Sequence, residues 1–351
     1  MTGNKAAARL AVVGAGPIGK RHLQAMDNVS TCQAVAVVDP SPAAKQVADR
    51  WHLPWLENIE MLWAEVKPDG VIIATPNSLH LSLSLACINR GIPVLVEKPI
   101  TDTLQSAHEL TEASEAAGVP VLVGHHRRHN PVVRKAREIV QADLLGRLTA
   151  ISATFLVRKP DDYFETAWRT EPGGGPVLIN LIHDVDSLRF IAGDIIGVQS
   201  MTSNAMRGYD VEDTAAILLR FKSGALGTVM LSDAVASPWS WELTSGERTS
   251  YTYPQSGQDC YLLAGTEASL AVPSLQMWRH DGPQSWQSPL PKVTRTVDEV
   301  DPIQAQLAHF ANVIQGIAEP LITARDASKT LEVSLAVSKA AATSGEVTIS
   351  S

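Results

Sequence analysis

Five short apolar runs, separated by four amphipathic stretches, fill the first 125 or so residues and leave this chain few ways to fold. The runs are RLAVVGAG, QAVAVVDP, GVIIATP, IPVLVEKP and VPVLVGHH. Between them lie PIGKRHLQAMDN, SPAAKQVADRW, NSLHLSLSLACINRG and SAHELTEASEAAG. A strand with one wet face alternates apolar and polar residues. These runs are continuous instead, so both faces of their sheet need cover. Parallel strands joined by crossover helices meet that need, and residues 1–125 read as a doubly wound α/β domain.

The pattern changes after Asn130-Pro131. From about residue 147 the strands are longer and more mixed: RLTAISATFLVRK, VQSMTSNAMRG, TAAILLRFKSG, ALGTVMLSDAVA and GTEASLAVP. Separated by Gly and Asn turns, they read as antiparallel strands with one polar face, in a second domain over residues 126–351. One strong helix, GPVLINLIHDVDSLRFIAG, interrupts them. Two more, DPIQAQLAHFANVIQG and TARDASKTLEVSLAVSKAAATSG, close the chain, and the last is expected to pack back on the first domain or cover the junction. Residues 232–262, rich in Trp, Ser, Tyr and Gly, read as an elaborated loop.

Charge and cysteine usage narrow the function. A formal net charge of −8 offers no basic surface for nucleic acid, and the run HHRRH at 125–129 is too small to reverse it. Three widely spaced cysteines, Cys32, Cys87 and Cys260, make no CxxC pair and fit a reducing compartment. There is no signal-peptide pattern and no apolar stretch of the roughly 18 residues a membrane span needs. A cytoplasmic protein without membrane partners is expected.

Gly14-Ala15-Gly16-Pro17-Ile18-Gly19 matches GxGxxG between a strand and a helix. In a Rossmann domain the first glycine makes the tight turn, the second lets backbone approach a pyrophosphate, and the third lets helix pack on strand. The helix N-terminus then presents free N–H groups and the positive end of its dipole to the phosphates. Asp39 ends the second strand 20 positions after Gly19, where a carboxylate accepts from a ribose 2′-hydroxyl and repels a 2′-phosphate. With Pro40 and Ser41 following rather than an arginine, NAD is favoured over NADP.

The fourth run ends on Glu97-Lys98-Pro99, an odd finish for a buried strand. Taken with GAGPIGKRH, ATPNSLH (74–80), VEKP (96–99), VGHHRRHNP (123–131), WRTEPGGGP (168–176) and LIHDVDSLR (181–189), it resembles the Gfo/Idh/MocA oxidoreductase family over nearly the whole chain. The resemblance implies a Rossmann domain followed by an α+β domain with a large, mostly antiparallel open sheet, through which such proteins pair as homodimers or homotetramers. It implies that Lys98 reaches the nicotinamide, with Pro99 fixing the turn through a cis Lys-Pro bond. Glu97 would face the nicotinamide ribose or orient Lys98. Thr75, Pro76, Asn77 and His80 resemble the family's loop over the cofactor, although Asn77 fits a helix cap as well.

Hydride transfer from an alcohol needs a base for the hydroxyl proton and a positive group for the alkoxide. The family places its acid/base histidine at His183, on a helix whose polar residues Asn180, His183, Asp184 and Ser187 share one face. Lys98 would then polarise the oxygen. Many family members carry an aspartate four positions before this histidine. Here Ile179 stands there and Asn180 follows, about 100° round a helix, which opens the inositol or aldose assignment to question. His126 and Arg127 align with pocket-lining positions, with a solvated basic loop as the other reading. Trp168 and Arg169 resemble a Trp-Arg pair near cofactor and substrate. Trp239 and Trp241, with Tyr251 and Tyr253 near, would stack on a sugar or aromatic ring, though i, i+2 alternation also suits a strand at a subunit interface. A metal held by His125, His126, His129, His183 and Asp186 matches no ligand spacing, and hydride chemistry needs none.

The expected function is an NAD-dependent dehydrogenase or reductase acting on a secondary alcohol or ketone of a sugar, cyclitol or related cyclic polyol. A dihydrodiol dehydrogenase, an enzyme that uses NAD transiently as glycosidase-like members do, and an NAD-binding sensor are the alternatives.

Overall fold

A computed structural model describes residues 6–247 and 256–350. The chain divides into two compact units, residues 1–129 with 300–331, and residues 130–299 with 332–351.

Unit 1 begins with β1 (Ala8–Val13), α1 (Pro17–Met26), β2 (Cys32–Val38), α2 (Ala44–Arg50), β3 (Trp55–Leu56) and α3 (Ile59–Glu65). It continues through β4 (Gly70–Ile73), α4 (His80–Ile88), β5 (Val94–Val96), α5 (Leu104–Ala117) and β6 (Val121–Val123). Every strand pairing is parallel, in the order β3-β2-β1-β4-β5-β6 of a Rossmann sheet. The continuous apolar runs have the cause inferred for them: all residues of β4, β5 and β6 are buried. Covering both faces contributes roughly 1.5–3 kcal/mol for each of Val71, Ile72 and Ile73, all at 0% exposure. The two-residue β3, too short for periodicity to reveal, adds an edge strand to the five expected.

Unit 2 contains α6 (Pro131–Gln141), β7 (Leu148–Leu156), α7 (Ile182–Ala192), β8 (Ile195–Ser203), β9 (Thr214–Phe221), β10 (Leu226–Ser232) and α8 (Trp241–Thr244). Then come β11 (Tyr261–Gly265), β12 (Ala268–Val272), β13 (Gln276–Arg279) and β14 (Lys292–Thr294). Two helices follow, α9 (Pro302–Ile314) and α10 (Ala324–Thr343), and β15 (Val347–Thr348) ends the chain. The nine strands order as β14-β13-β12-β11-β7-β10-β9-β8-β15. All pairs are antiparallel except β10 with β7.

The unit boundary lies beyond residue 125 and is not contiguous, because α9 and the segment after it belong to unit 1. Val123 N donates to Ile322 O at 3.0 Å, the His129 and His309 rings lie 5.2 Å apart, and Arg128 pairs with Asp326. The HHRRH run is therefore a 3₁₀ turn, His126–His129, with Arg127, Arg128 and His129 buried, and not a solvated loop.

Candidate active site

The candidate nucleotide cradle of unit 1 stands at the carboxyl edge of the parallel sheet, at the β1–β4 pair where the strand order reverses. Gly14 turns there with φ +100°, and a Cβ on it would lie 2.5 Å from Ala74 O. A Cβ on Gly19 would lie 1.9 Å from Gly14 O, so the third glycine lets α1 lie directly on β1. Gly16 differs: nothing stands within 4 Å of where its Cβ would be, which leaves open space beside the turn. Whereas α3, α5, α6 and α9 each close their first turn with a side chain, α1 has Pro17 in its first turn and no side-chain cap, with Ile18 in the same turn.

Asp39 closes the cradle. One carboxylate oxygen accepts from Ala15 N and the other from Ser41 N, both at 2.8 Å, which fixes the acid beside the glycine turn. On the β4 side, Thr75 carries a buried hydroxyl with no partner, while Pro76 and Asn77 are exposed. Asn77 begins a 3₁₀ turn and does not cap it. Open space at Gly16, an uncapped helix start, an anchored acid and an unpaired hydroxyl together fit a dinucleotide. When bound, it supplies the hydride acceptor or donor.

His80 is not exposed to that space. It is 1% exposed, with Nδ1 2.9 Å from Pro99 O and Nε2 3.0 Å from Thr75 O, so it ties the loop after β4 to the loop after β5. The Lys98–Pro99 bond is cis, as the resemblance implied. The Glu97 carboxylate is buried. Its Oε1 lies 2.7 Å from His22 Nε2 and its Oε2 accepts from Lys98 N at 3.3 Å. Burial pushes the Glu97 carboxyl up, but the His22 hydrogen bond and the charges of His22, His126 and Lys98 outweigh it and hold the group below its ordinary value. His22 is the residue that reading the sequence missed; the one available signal was its place three positions after the last glycine of the motif.

In unit 2 the candidate acid/base lies on a helix that does not begin as an α-helix. Val177–Leu181 forms a π-helical turn that runs into α7. Such turns are uncommon and often stand at functional sites. Asn180 is on it, partly exposed, with a buried side-chain oxygen that has no partner. His183 follows in the first turn of α7.

The face that these polar residues share is not open to solvent: every residue from Ile182 to Ile191 is buried. The polar side chains are enclosed because they are satisfied internally. Asp184 accepts from the Tyr261 hydroxyl, Ser187 donates to His183 O at 2.9 Å and Arg189 pairs with Asp194 at 2.7 Å. The helix start is held by a residue 35 positions away: Val177 N donates to Glu212 Oε1 at 3.0 Å. That carboxylate lies so close to Gly175 that a Cβ there would stand 2.3 Å from it. Burial raises the Glu212 carboxyl above its ordinary value, with the Val177 amide acting against it.

The segment before the glycines is pinned by rings and cations. Arg169 donates to Tyr163 O at 2.7 Å and lies over the Tyr163 ring at 4.0 Å and over Trp168 at 5.5 Å. Arg207 lies over Phe164 at 4.1 Å and pairs with Asp233 at 3.2 Å. Trp168 is half exposed. Trp239 is exposed and Trp241 is not. Trp241 opens α8 after the extended Ser240, stacks on Tyr261 at 5.9 Å and donates to Glu247 at 2.6 Å. Trp241, expected on a bound ring or on a strand at a subunit interface, is instead a core residue at a helix start, while Tyr251 and Tyr253 lie outside the described residues. Among the described residues no group of three or more His, Cys, Asp or Glu is arranged to hold a metal ion, and no helix is long and apolar enough to cross a membrane.

Comparisons with known proteins agree with this frame. Residues 8–125 match the family model described as oxidoreductase family, NAD-binding Rossmann fold, and residues 133–271 match the GFO/IDH/MocA C-terminal domain. The chain is 30% identical to 1,5-anhydro-D-fructose reductase of Ensifer adhaerens over 82% of its own length and 81% of the relative's. It is 27% identical to scyllo-inositol 2-dehydrogenase (NAD(+)) of Bacillus subtilis strain 168 over 93% and 92%. The WlbA dehydrogenase of Bordetella pertussis, solved with NADH and UDP-GlcNAcA, shares the fold with a TM-score of 0.80 at 21% identity, over 98% and 99% of the two chains. With its NAD-binding Rossmann fold and both domains matched, the chain is a dehydrogenase or reductase of the GFO/IDH/MocA oxidoreductase family.

Proposed function

We propose that the protein transfers a hydride between the nicotinamide of NAD and a secondary alcohol or ketone of a sugar, cyclitol or related cyclic polyol. The observation that carries this reading is Lys98, held on a braced turn at the binding edge of the Rossmann sheet beside the open Gly14–Asp39 cradle. Oxidation of the substrate takes a hydride from carbon and a proton from oxygen. His183 takes that proton, and the Lys98 ammonium stabilises the oxygen as charge builds on it; in the reverse direction His183 returns the proton. Asn180, with its unpaired side-chain oxygen, accepts a hydrogen bond from a substrate hydroxyl and does the work of the aspartate that Ile179 replaces. Gly14, Gly16 and the start of α1 hold the pyrophosphate, Asp39 the adenosine ribose and Thr75 the nicotinamide side of the cofactor. His126, Arg127, Trp168, Arg169 and Trp239 are the further candidates for substrate contact.

The relatives' names, a reductase of an anhydrosugar and a dehydrogenase of an inositol, support this substrate class. The test is NADH absorbance with NAD or NADP and a panel of inositols, aldoses, anhydrosugars, quinate-like acids and cyclic dihydrodiols. Growth with one cyclic polyol class, lost in His183→Ala and Lys98→Ala, is the expected result. Preference for NADP overturns the role of Asp39. Turnover of dihydrodiols alone overturns the substrate class. Binding of NAD with silence across the panel favours the transient-NAD or sensor readings.

The same reading includes self-association. The cross-strand rows Met201–Ala216–Met230–Thr154 and Gln199–Leu218–Thr228–Ser152–Leu262 share one face of the nine-stranded sheet. Met201, Leu218, Met230 and Leu262 on it are exposed, an apolar surface that a second copy would cover. Light scattering of wild type against Leu218→Asp tests it, with a fall to monomer mass expected and a monomeric wild type overturning it.

A further inference from the structure

The Glu97-Lys98-Pro99 turn is held on both sides of its lysine. Before it, the Glu97 carboxylate accepts from Lys98 N at 3.3 Å and lies 2.7 Å from His22 Nε2. After it, Pro99 O lies 2.9 Å from His80 Nδ1. The Glu97 carboxylate also lies flat against the end of β6, where a Cβ on Gly124 would stand 2.9 Å from three of its atoms. His22 is 0% exposed and Glu97 is 7% exposed. Packing alone does not require such a pair, since apolar residues of similar volume serve as well or better in a buried place. His22 is on α1, the helix whose open N-terminus faces the dinucleotide cradle.

We propose that His22 and Glu97 are positioning residues for Lys98, a buried pair that fixes the lysine-bearing turn to the helix that receives the dinucleotide. The proposal rests on the reading of Lys98 as the group that polarises the substrate oxygen. His22 donates from Nε2 and keeps Glu97 an anion. That anion fixes the backbone of Lys98 and favours the ammonium form of its side chain. The groups that face Glu97 are His22 from α1, Lys98 beside it and His126 beyond β6, and all three favour its charged form.

The test reads Lys98 directly. Protein reductively methylated with ¹³C-formaldehyde gives one resonance per lysine, and Lys98→Arg identifies that of Lys98. Wild type, Glu97→Gln, His22→Leu and His22→Gln are titrated with pH and, separately, with NAD by calorimetry. The expected result is a fall of about one unit in the Lys98 midpoint in Glu97→Gln and His22→Leu. His22→Gln, which keeps a donor, should shift less, with NAD affinity within about threefold and the other lysines unmoved. The His22 ring contacts the Glu97 carboxylate, so its effect on Lys98 is expected to pass through Glu97. An unchanged Lys98 midpoint in folded Glu97→Gln overturns the proposal, and this near-isosteric variant keeps the test open if His22→Leu does not fold. Full turnover in Lys98→Ala would instead overturn the reading of Lys98, while the midpoints would still report on the pair.

Discussion

Every residue of β4 is buried, whereas β9 buries Ala215, Ile217, Leu219 and Phe221 and exposes Ala216, Leu218 and Arg220 between them. In the parallel sheet of unit 1, β4, β5 and β6 are buried throughout and the polar residues within strands are confined to Arg9 and Gln33 near the starts of β1 and β2, so the candidate chemistry stands at the strand ends: Asp39 after β2, Thr75 after β4, and Glu97 and Lys98 after β5. The sheet of unit 2 is free to carry polar residues on one face, and its candidate chemistry is on a helix instead, at the π-helical turn and the start of α7. A sheet covered on both sides makes a precise edge. A sheet covered on one side leaves a surface, and the reactive group then needs a separate rigid mount.

The contrast is broken most severely at the two side chains proposed to be catalytic. Lys98→Ala and His183→Ala should each lower turnover on the substrate that the panel identifies by about 10²–10⁴-fold. NAD binding should survive both, as calorimetry would reveal. Next comes the buried sheet: Ile72→Ala should cost about 3 kcal/mol in chemical denaturation, through lost burial and the cavity left behind.

Glu97 and Glu212 should then respond to pH in opposite directions. Glu97 is held below its ordinary value near 4.5, so its contribution is present above that value and is lost as pH falls through the folded one. Glu212 is held above the same ordinary value, so its contribution is complete below it and is lost as pH rises through the folded one. Melting temperatures of Glu97→Gln and Glu212→Gln across pH 3–8, each set against wild type, check this; parallel trends would show that one of the two environments is misjudged. The smallest effect belongs to the open face, where Leu218→Ala should change the stability of a single copy by no more than about 0.5 kcal/mol.

The sequence was most legible where physics is local. Continuous apolar runs announced the parallel strands, longer and more mixed runs announced strands of the second sheet, and GxGxxG with Asp39 announced the cradle, because strand burial and glycine turns leave marks within a few residues. Pairs distant in the chain left none. Nothing near His22 points to Glu97, 75 positions on. Nothing near Gly175 tells that the Glu212 carboxylate fills the space its Cβ would need. GPVLINL has the composition of an ordinary helix start, since a π turn differs in how backbone hydrogen bonds are drawn rather than in which residues draw them. The strand that the spacing of Trp239 and Trp241 also allowed fails at Ser240, the extended residue after which α8 begins. The burial of the polar residues of α7 could not be read from periodicity, because partners such as Tyr261 come from remote strands.

The sealed parallel sheet also decides how this molecule can be handled. Cys32 and Cys87 are buried in unit 1, and burial raises their thiols to about 11 and about 12. At neutral pH almost none of either exists as thiolate, the form that reacts with maleimides and oxidants. Cys260 is likewise buried, at 2% exposure. A cysteine introduced at exposed Ser223, in the turn between β9 and β10, would therefore be the one fast-reacting thiol among the described residues. A fluorophore could be attached there in a single step with the native cysteines left in place.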